Sequence, residues 1–289
     1  MKTGIIILNY NDYETTEKIL DKIKNYASLD VIVVVDNNST DNSYELLKRY
    51  ESEKIIVLKS DKNKGYAAGN NIGCKYLTNI GVEYIIVSNP DIIFEDDDIK
   101  KLVANFSREN IGIVAPRVNE HGKINRGWKN PNVLIDSLSN LNYIGYFFKK
   151  QLLYRSNVYL SKTTEVDVVS GCFFIIKTDV MKRVNYFDEN VFLYYEENIL
   201  AKKVSSINYK TVVDNTVEIV HESSVTINKS IKKISRFRLL CKSQRYYHVE
   251  YNDVGVFGQA VLYFTYYIAL GVSYIESAIN HIWEVFRGK

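Results

Sequence analysis

Three apolar runs in this chain stop abruptly at side chains able to grip a charged ligand. Residues 84–87 run into Ser88-Asn89-Pro90-Asp91, residues 5–8 into Asn9-Tyr10-Asn11-Asp12, and residues 31–35 into Asp36-Asn37-Asn38-Ser39-Thr40-Asp41. A carboxylate at the carboxyl end of a buried strand is where an open α/β sheet holds a metal-bound phosphate, because ligands settle in the crevice outside the strand ends. Asp91 is therefore the first candidate metal ligand, with the amide of Asn89 two residues ahead of it. Asp36 has two readings, a ligand-binding carboxylate or the cap of the turn that follows it. Glu196 and Glu197 open an expected helix over 196–207, where their negative charge suits the helix dipole.

The elements that would position these residues follow from the pattern. Apolar runs at 4–8, 31–35, 55–58, 84–87 and 111–114 alternate with helical patterns at 43–50, 67–77 and 97–106, the signature of βαβ units feeding a parallel sheet. Asn11 with Glu14 resembles a capping box ahead of a helix whose buried stripe is Ile19, Leu20 and Ile23. The strands are continuous apolar runs, which requires helices on both faces. The expected fold is α/β, a Rossmann-like three-layer α/β/α sandwich with a mostly parallel central sheet. After Pro116 a segment rich in Gly, Asn and Ser, with an aromatic group at Tyr143, Tyr146, Phe147 and Phe148, reads either as an acceptor-contacting lid or as a surface excursion with its own aromatic core. Regular structure should return as strands at 166–170 and 173–176, then a helix from Thr178.

Composition bounds the alternatives. The 289 residues are 46% hydrophobic and 25% charged, suited to one large core-forming domain with an appendage. A net charge of +3 is too small to argue for nucleic acid. Cys74, Cys172 and Cys241 lie far apart, which suits a reduced cytoplasmic setting without disulfides or zinc. The short apolar run at the N-terminus reads as a strand rather than a secretion signal.

In order and spacing, Asn9-Tyr10-Asn11, Asp36 to Asp41, Asn63-Lys64-Gly65-Tyr66-Ala67-Ala68-Gly69-Asn70, Asn89-Pro90-Asp91, Ser170-Gly171-Cys172 and Tyr195-Glu196-Glu197 resemble an inverting glycosyltransferase of family 2 with the GT-A fold. Within that family the chain most resembles the rhamnosyltransferase-like branch that builds bacterial surface polysaccharides. The resemblance implies a nucleoside-diphosphate sugar donor of dTDP or UDP type, with L-rhamnose as the expected sugar, and a saccharide or lipid-linked glycan as acceptor. It implies that Asn9, Tyr10 and Asp36 hold the base and ribose, that Lys64, Gly65 and Asn70 approach the donor sugar and phosphates, and that the Asn89 amide hydrogen-bonds a ribose hydroxyl. Asp91, joined by His221, would bind Mg²⁺ or Mn²⁺. Glu197, ahead of Glu196, would take the acceptor's proton. Two departures stand out: Asn89 removes a charge from the metal motif, and a glutamate replaces the family's usual aspartate as base.

The expected division is a catalytic domain over 1–225 and a helical region over 226–289 that contacts a membrane or another subunit. From Lys229 to His248 the chain is basic without an acid, with an apolar stripe at Ile231, Ile234, Phe237 and Leu240. Residues 254–275 carry no charge, yet four tyrosines suit an interfacial helix better than a span. Peripheral attachment to the inner face of the cell membrane, with or without homodimerisation, is the expectation. Two rival readings are a nucleotidyltransferase, against which the absence of a glycine-rich loop after the first strand argues, and a non-catalytic scaffold of a polysaccharide-assembly complex.

Overall fold

The first strand is buried on both sides, and the alternation of its side chains between faces shows how the core is divided. Ile5 and Ile7 pack into one apolar cluster and Ile6 into another, so side chains of period two feed both faces of the sheet. The computed structural model describes residues 2–141, 145–222 and 233–286, and the expected boundary at 225/226 lies outside them.

The strands are β1 (Thr3–Asn9), β2 (Val31–Asp36), β3 (Ile55–Lys59), β4 (Tyr84–Ser88), β5 (Ile92–Ile93), β6 (Ile111–Glu120), β7 (Lys123–Asn125), β8 (Thr163–Val166), β9 (Phe173–Lys177) and β10 (Lys210–His221). The helices are α1 (Tyr13–Ile23), α2 (Ser43–Leu47), α3 (Tyr66–Asn79), α4 (Asp96–Ala104), α5 (Val133–Ser139), α6 (Gly145–Lys149), α7 (Thr178–Arg183), α8 (Glu196–Ser206), α9 (Lys233–Tyr251) and α10 (Val256–Phe286). The sheet runs β3-β2-β1-β4-β9-β6-β10-β5, with β7 on β6 and β8 on β10. Side chains of α1, α2 and α4 join the cluster on one face, and those of α3, α7 and α8 the cluster on the other. This is the expected three-layer α/β sandwich. Its first four strands are parallel, and beyond β4 the sheet is mixed, because β9 runs antiparallel to both β4 and β6.

The structure corrects several local expectations. Asn11 does not cap α1: it sits at φ 51° and its side chain turns to Thr40, while Asp12 takes the N-cap position and accepts from Thr15 Oγ1 at 2.9 Å. The capping box belongs to α4, where Glu95 and Asp98 exchange bonds. The strand expected at 166–170 ends at Val166, since Val168 makes only a bridge to Trp128. The aromatic group near residue 146 is no small core, with Tyr146 62% and Phe147 66% exposed; Tyr143 lies outside the described residues.

Helix α9 covers the described part of the basic run, Lys229–Lys232 lying outside it. Its inward face is Cys241, Gln244, Tyr247 and His248, so the helix is packed on the body. Helix α10 buries Leu262, Thr265 and Ala269 and leaves Phe257, Phe264, Ile268 and Ile275 exposed, so apolar side chains line both its faces.

Candidate active site

Parallel pairing brings the three polar strand ends together. Asn9 stands opposite Asp36 in the β1–β2 register, and Ile7 opposite Ser88 in the β1–β4 register, so the turns after β1, β2 and β4 open on one side. The turns are then bonded to each other. Asn9 Nδ2 donates to Asp36 Oδ2 at 2.9 Å and to Ser39 Oγ at 3.2 Å, and its Oδ1 accepts from Thr16 Oγ1 at 2.9 Å. Asp36 also accepts from the Ser39 amide at 2.9 Å and from Ser39 Oγ at 2.6 Å. Asp36 and Asn9 are both fully buried. Of the roughly four lone-pair sites of this carboxylate, three are engaged by the protein itself. Asp36 thus locks the turn, while Tyr10 beside it keeps solvent contact.

A second set of bonds links this corner to the next loop. Asn37 Nδ2 reaches Asn63 Oδ1 at 3.1 Å and the Gly65 carbonyl at 3.2 Å. Gly65 adopts φ 100°, and a Cβ there would lie 2.1 Å from the Phe192 carbonyl oxygen, so only glycine fits. That carbonyl accepts from the Tyr66 amide at 3.0 Å, fastening the loop to the segment that leads into α8. Lys64 points into solvent, whereas Asn70 is buried on α3 with its Oδ1 unpartnered. The Tyr66 hydroxyl lies 2.8 Å from the Gly171 carbonyl and 3.1 Å from Asn89 Oδ1, placing Asn89 beside the Gly171 turn.

Asp91 and His221 meet through a short crossing. Strand β5 pairs antiparallel with the end of β10, Ile92 opposite His221. Asp91 Oδ1 and His221 Nε2 lie 3.2 Å apart, both buried, and neither makes an aligned hydrogen bond. On its other side His221 Nδ1 lies 2.6 Å from Glu120 Oε1. Burial works against the imidazolium, but Asp91 and Glu120 outweigh it and hold the histidine above its ordinary value. The approach is that of an ion pair while the imidazole is protonated, and once it is neutral the same carboxylate and imidazole are spaced to share a divalent cation. Among the described residues no group of three or more His, Cys, Asp or Glu stands ready to hold an ion, so the rest of such a shell would come from the donor's phosphates and water.

The glutamate pair lies within the same neighbourhood. Glu197 Oε2 is 3.9 Å from where a Cβ on Gly171 would stand. Glu196 is 5% exposed with an unpartnered Oε1, whereas Glu197 keeps more solvent contact. Burial raises both carboxyls, and the negative charge of Glu197 raises Glu196 further. Cys172, adjacent to Gly171, has its thiol pushed up to about 12 by burial, with Glu120, Asp91 and Glu197 adding to the shift, so it stays neutral.

Sequence reasoning missed the residues that hold α8 in place. Tyr194 and Tyr195 both adopt left-handed backbone, at φ 72° and 70°, immediately before the glutamates. The Tyr195 hydroxyl bonds Asp136, which also meets the fully buried His248 Nε2 at 2.8 Å. Ser243 bonds the Leu193 carbonyl at 2.8 Å, and Tyr246 and Tyr251 bond Asp188 at 2.8 and 2.6 Å. Helix α9 therefore grips residues 188–195. Glu120 was missed because the strand expected at 111–114 runs on to Glu120; His248 and Asp136 are 112 positions apart and carry no local signal.

The fold and the gathered turns define an α/β protein of GT-A type. The sequence profile of Glycosyl transferase family 2 matches residues 4–184, and the chain belongs to that family. It is 29% identical over 225 residues to the "Low-salt glycan biosynthesis hexosyltransferase Agl10" of Haloferax volcanii, covering 77% of this chain and 67% of that one. It is 24% identical to the "dTDP-rhamnosyl transferase RfbF" of Shigella flexneri, covering 78% and 70%. Among solved structures it is similar to GalNAc-T7 with UDP, GalNAc and Mn²⁺, at TM-score 0.65 and 14% identity over 88% of this chain and 49% of that one. It is also similar to S. aureus TarS 1-349 in complex with UDP-GlcNAc, at TM-score 0.57 and 13% identity over 93% and 82%. This chain thus spans about half the length of GalNAc-T7.

Proposed function

We propose that this protein transfers a sugar, with inversion, from a nucleoside-diphosphate sugar to a saccharide or lipid-linked glycan acceptor in bacterial surface-polysaccharide synthesis. The observation that carries the reading is the convergence of the Asn9 and Asp36 turns, the Asp91–His221 pair and the Glu197 carboxylate around one set of strand ends. The rhamnosyltransferase relative supports L-rhamnose from a dTDP donor, and the UDP complexes of the structural neighbours support a pyrimidine nucleotide.

In this reading Tyr10 and the interlocked Asn9 and Asp36 turns seat base and ribose, with Lys64, Gly65, Asn70 and Asn89 along the sugar and diphosphate. Asp91 and His221 would hold Mg²⁺ or Mn²⁺, whose chemistry is to neutralise charge on the departing nucleoside diphosphate. Glu197 accepts the proton of the attacking acceptor hydroxyl. A general base must be ionised and reachable, and Glu197 is the more accessible carboxylate of the pair. Its neighbour Glu196, more deeply buried and raised further by the Glu197 charge, stays neutral longer and shapes the helix start. The exposed apolar stripe of α10, with Arg238, Lys242 and Arg245 on α9, suits attachment to an anionic membrane surface on the cytoplasmic side.

Thermal unfolding with a panel of dTDP- and UDP-sugars, with and without Mg²⁺ or Mn²⁺, tests the reading. The correct donor raises the transition midpoint in a metal-dependent manner, and its nucleoside diphosphate appears on incubation with acceptor. Nucleoside triphosphate formed with pyrophosphate, or tight donor binding without turnover on any acceptor, would refute it.

A further inference from the structure

Next to the glutamates lies a cavity of about 670 Å³ formed by the 123–160 segment, α5 and the flank of α9. Glu120, the partner of His221, and Tyr195, the residue before Glu196, both line it, so it communicates with the reacting centre. Its charges are unbalanced. Glu120 is held by His221, and Asp136 by Tyr195 and His248. Against these, Arg126, Lys123 and Lys149 line the cavity, and none of them forms an ion pair among the described residues. Arg126 is the telling one. Its guanidinium sits 5.1 Å from the Tyr159 ring centroid, and its Nε is buried with no hydrogen-bond partner.

A desolvated, unsatisfied guanidinium nitrogen is costly, and it is normally found where a carboxylate or phosphate completes it. The backbone that presents Arg126 is fixed. Gly127 adopts φ 81°, where a Cβ would meet the Val168 carbonyl at 2.6 Å, and Trp128 exchanges two backbone bonds with Val168. Trp128, Tyr154 and Tyr159 supply ring faces of the kind that pack on saccharides. We propose that this cavity is the acceptor subsite and that it selects an acceptor carrying an anionic group, phosphoryl or carboxyl, which pairs with Arg126. The inference rests on the transferase reading and narrows its acceptor class.

The test compares three probes on one ring, methyl β-glucoside, methyl β-glucuronide and glucosyl 1-phosphate, by tryptophan fluorescence titration at saturating UDP, which keeps the nucleotide site filled. One charged probe should bind at least tenfold tighter than the neutral one, and which one does so separates phosphoryl from carboxyl recognition. Arg126→Gln should abolish that preference, Arg126→Lys should retain part of it, and UDP affinity should stay unchanged in both. The exposed Lys123→Gln should lower the preference about twofold to threefold in an unperturbed fold. Equal binding of all three probes to the wild type, an intact preference in Arg126→Gln, or a loss of UDP binding in that variant overturns the proposal. If the wild-type chain binds no pyrimidine nucleotide, the transferase reading fails instead, on a separate readout.

Discussion

Glu196 and Glu197 share a buried helix start but are not equivalent, since Glu197 retains the greater solvent contact. Glu197→Gln should lower sugar transfer by roughly 10²- to 10⁴-fold with donor affinity unchanged, and Glu196→Gln should cost much less, as read from nucleoside diphosphate release. Both carboxyls are raised by burial above the ordinary value near 4.5. A base works only when ionised, so the acid limb of kcat/KM should lie above the usual carboxylate range, and Glu196→Gln should leave it in place, because Glu197 ionises ahead of its more strongly raised neighbour. Stability runs the other way. A raised carboxyl contributes stability that is fully present below pH 4.5 and is lost as pH rises through the folded value, so denaturant midpoints should fall across the window in which activity rises. Midpoints that stay level or rise while activity rises through that window would show that another group sets the acid limb.

At the scale of elements, the strand ends were legible because a buried strand announces itself in a short apolar run. The turns were legible because Asn, Asp and Gly at fixed offsets permit few conformations. What escaped the sequence was long-range pairing: β9 inserting antiparallel between β4 and β6, and α9 clamping residues 188–195, each set by packing with no local signature. Asp36 was legible as important, yet its inward engagement with Asn9 and Ser39 depends on a partner strand that periodicity does not specify. Gly65→Ala combines a left-handed backbone with a clash against the Phe192 carbonyl and should destabilise by more than about 2 kcal/mol in urea unfolding. Gly81→Ala, with φ 74° but open space around it, should cost only about 1 kcal/mol. His248→Ala strips a donor from the buried Asp136 and should cost about 1–3 kcal/mol, with a larger loss in kcat than in donor affinity, because it loosens the approach to α8.

For the whole molecule, α10 is the element whose fate depends on surroundings. Its inner face is occupied, and its outer face offers Phe257, Phe264, Ile268 and Ile275 to solvent. Replacing Phe264 and Ile268 by Ser should leave unfolding within about 0.5 kcal/mol of wild type while reducing co-sedimentation with anionic vesicles severalfold. Unchanged sedimentation would assign that face to another protein surface. The hydrogen bond from the Tyr66 amide to the Phe192 carbonyl has a consequence at this scale as well. It joins the Gly65 loop to the left-handed corner that leads into Glu196 and Glu197, so whatever displaces one displaces the other. Under the proposed transferase activity, thermodynamic reciprocity obliges an acceptor that tightens the corner to raise the affinity for spent nucleotide by the same free energy, which makes product inhibition strongest where the acceptor fits best.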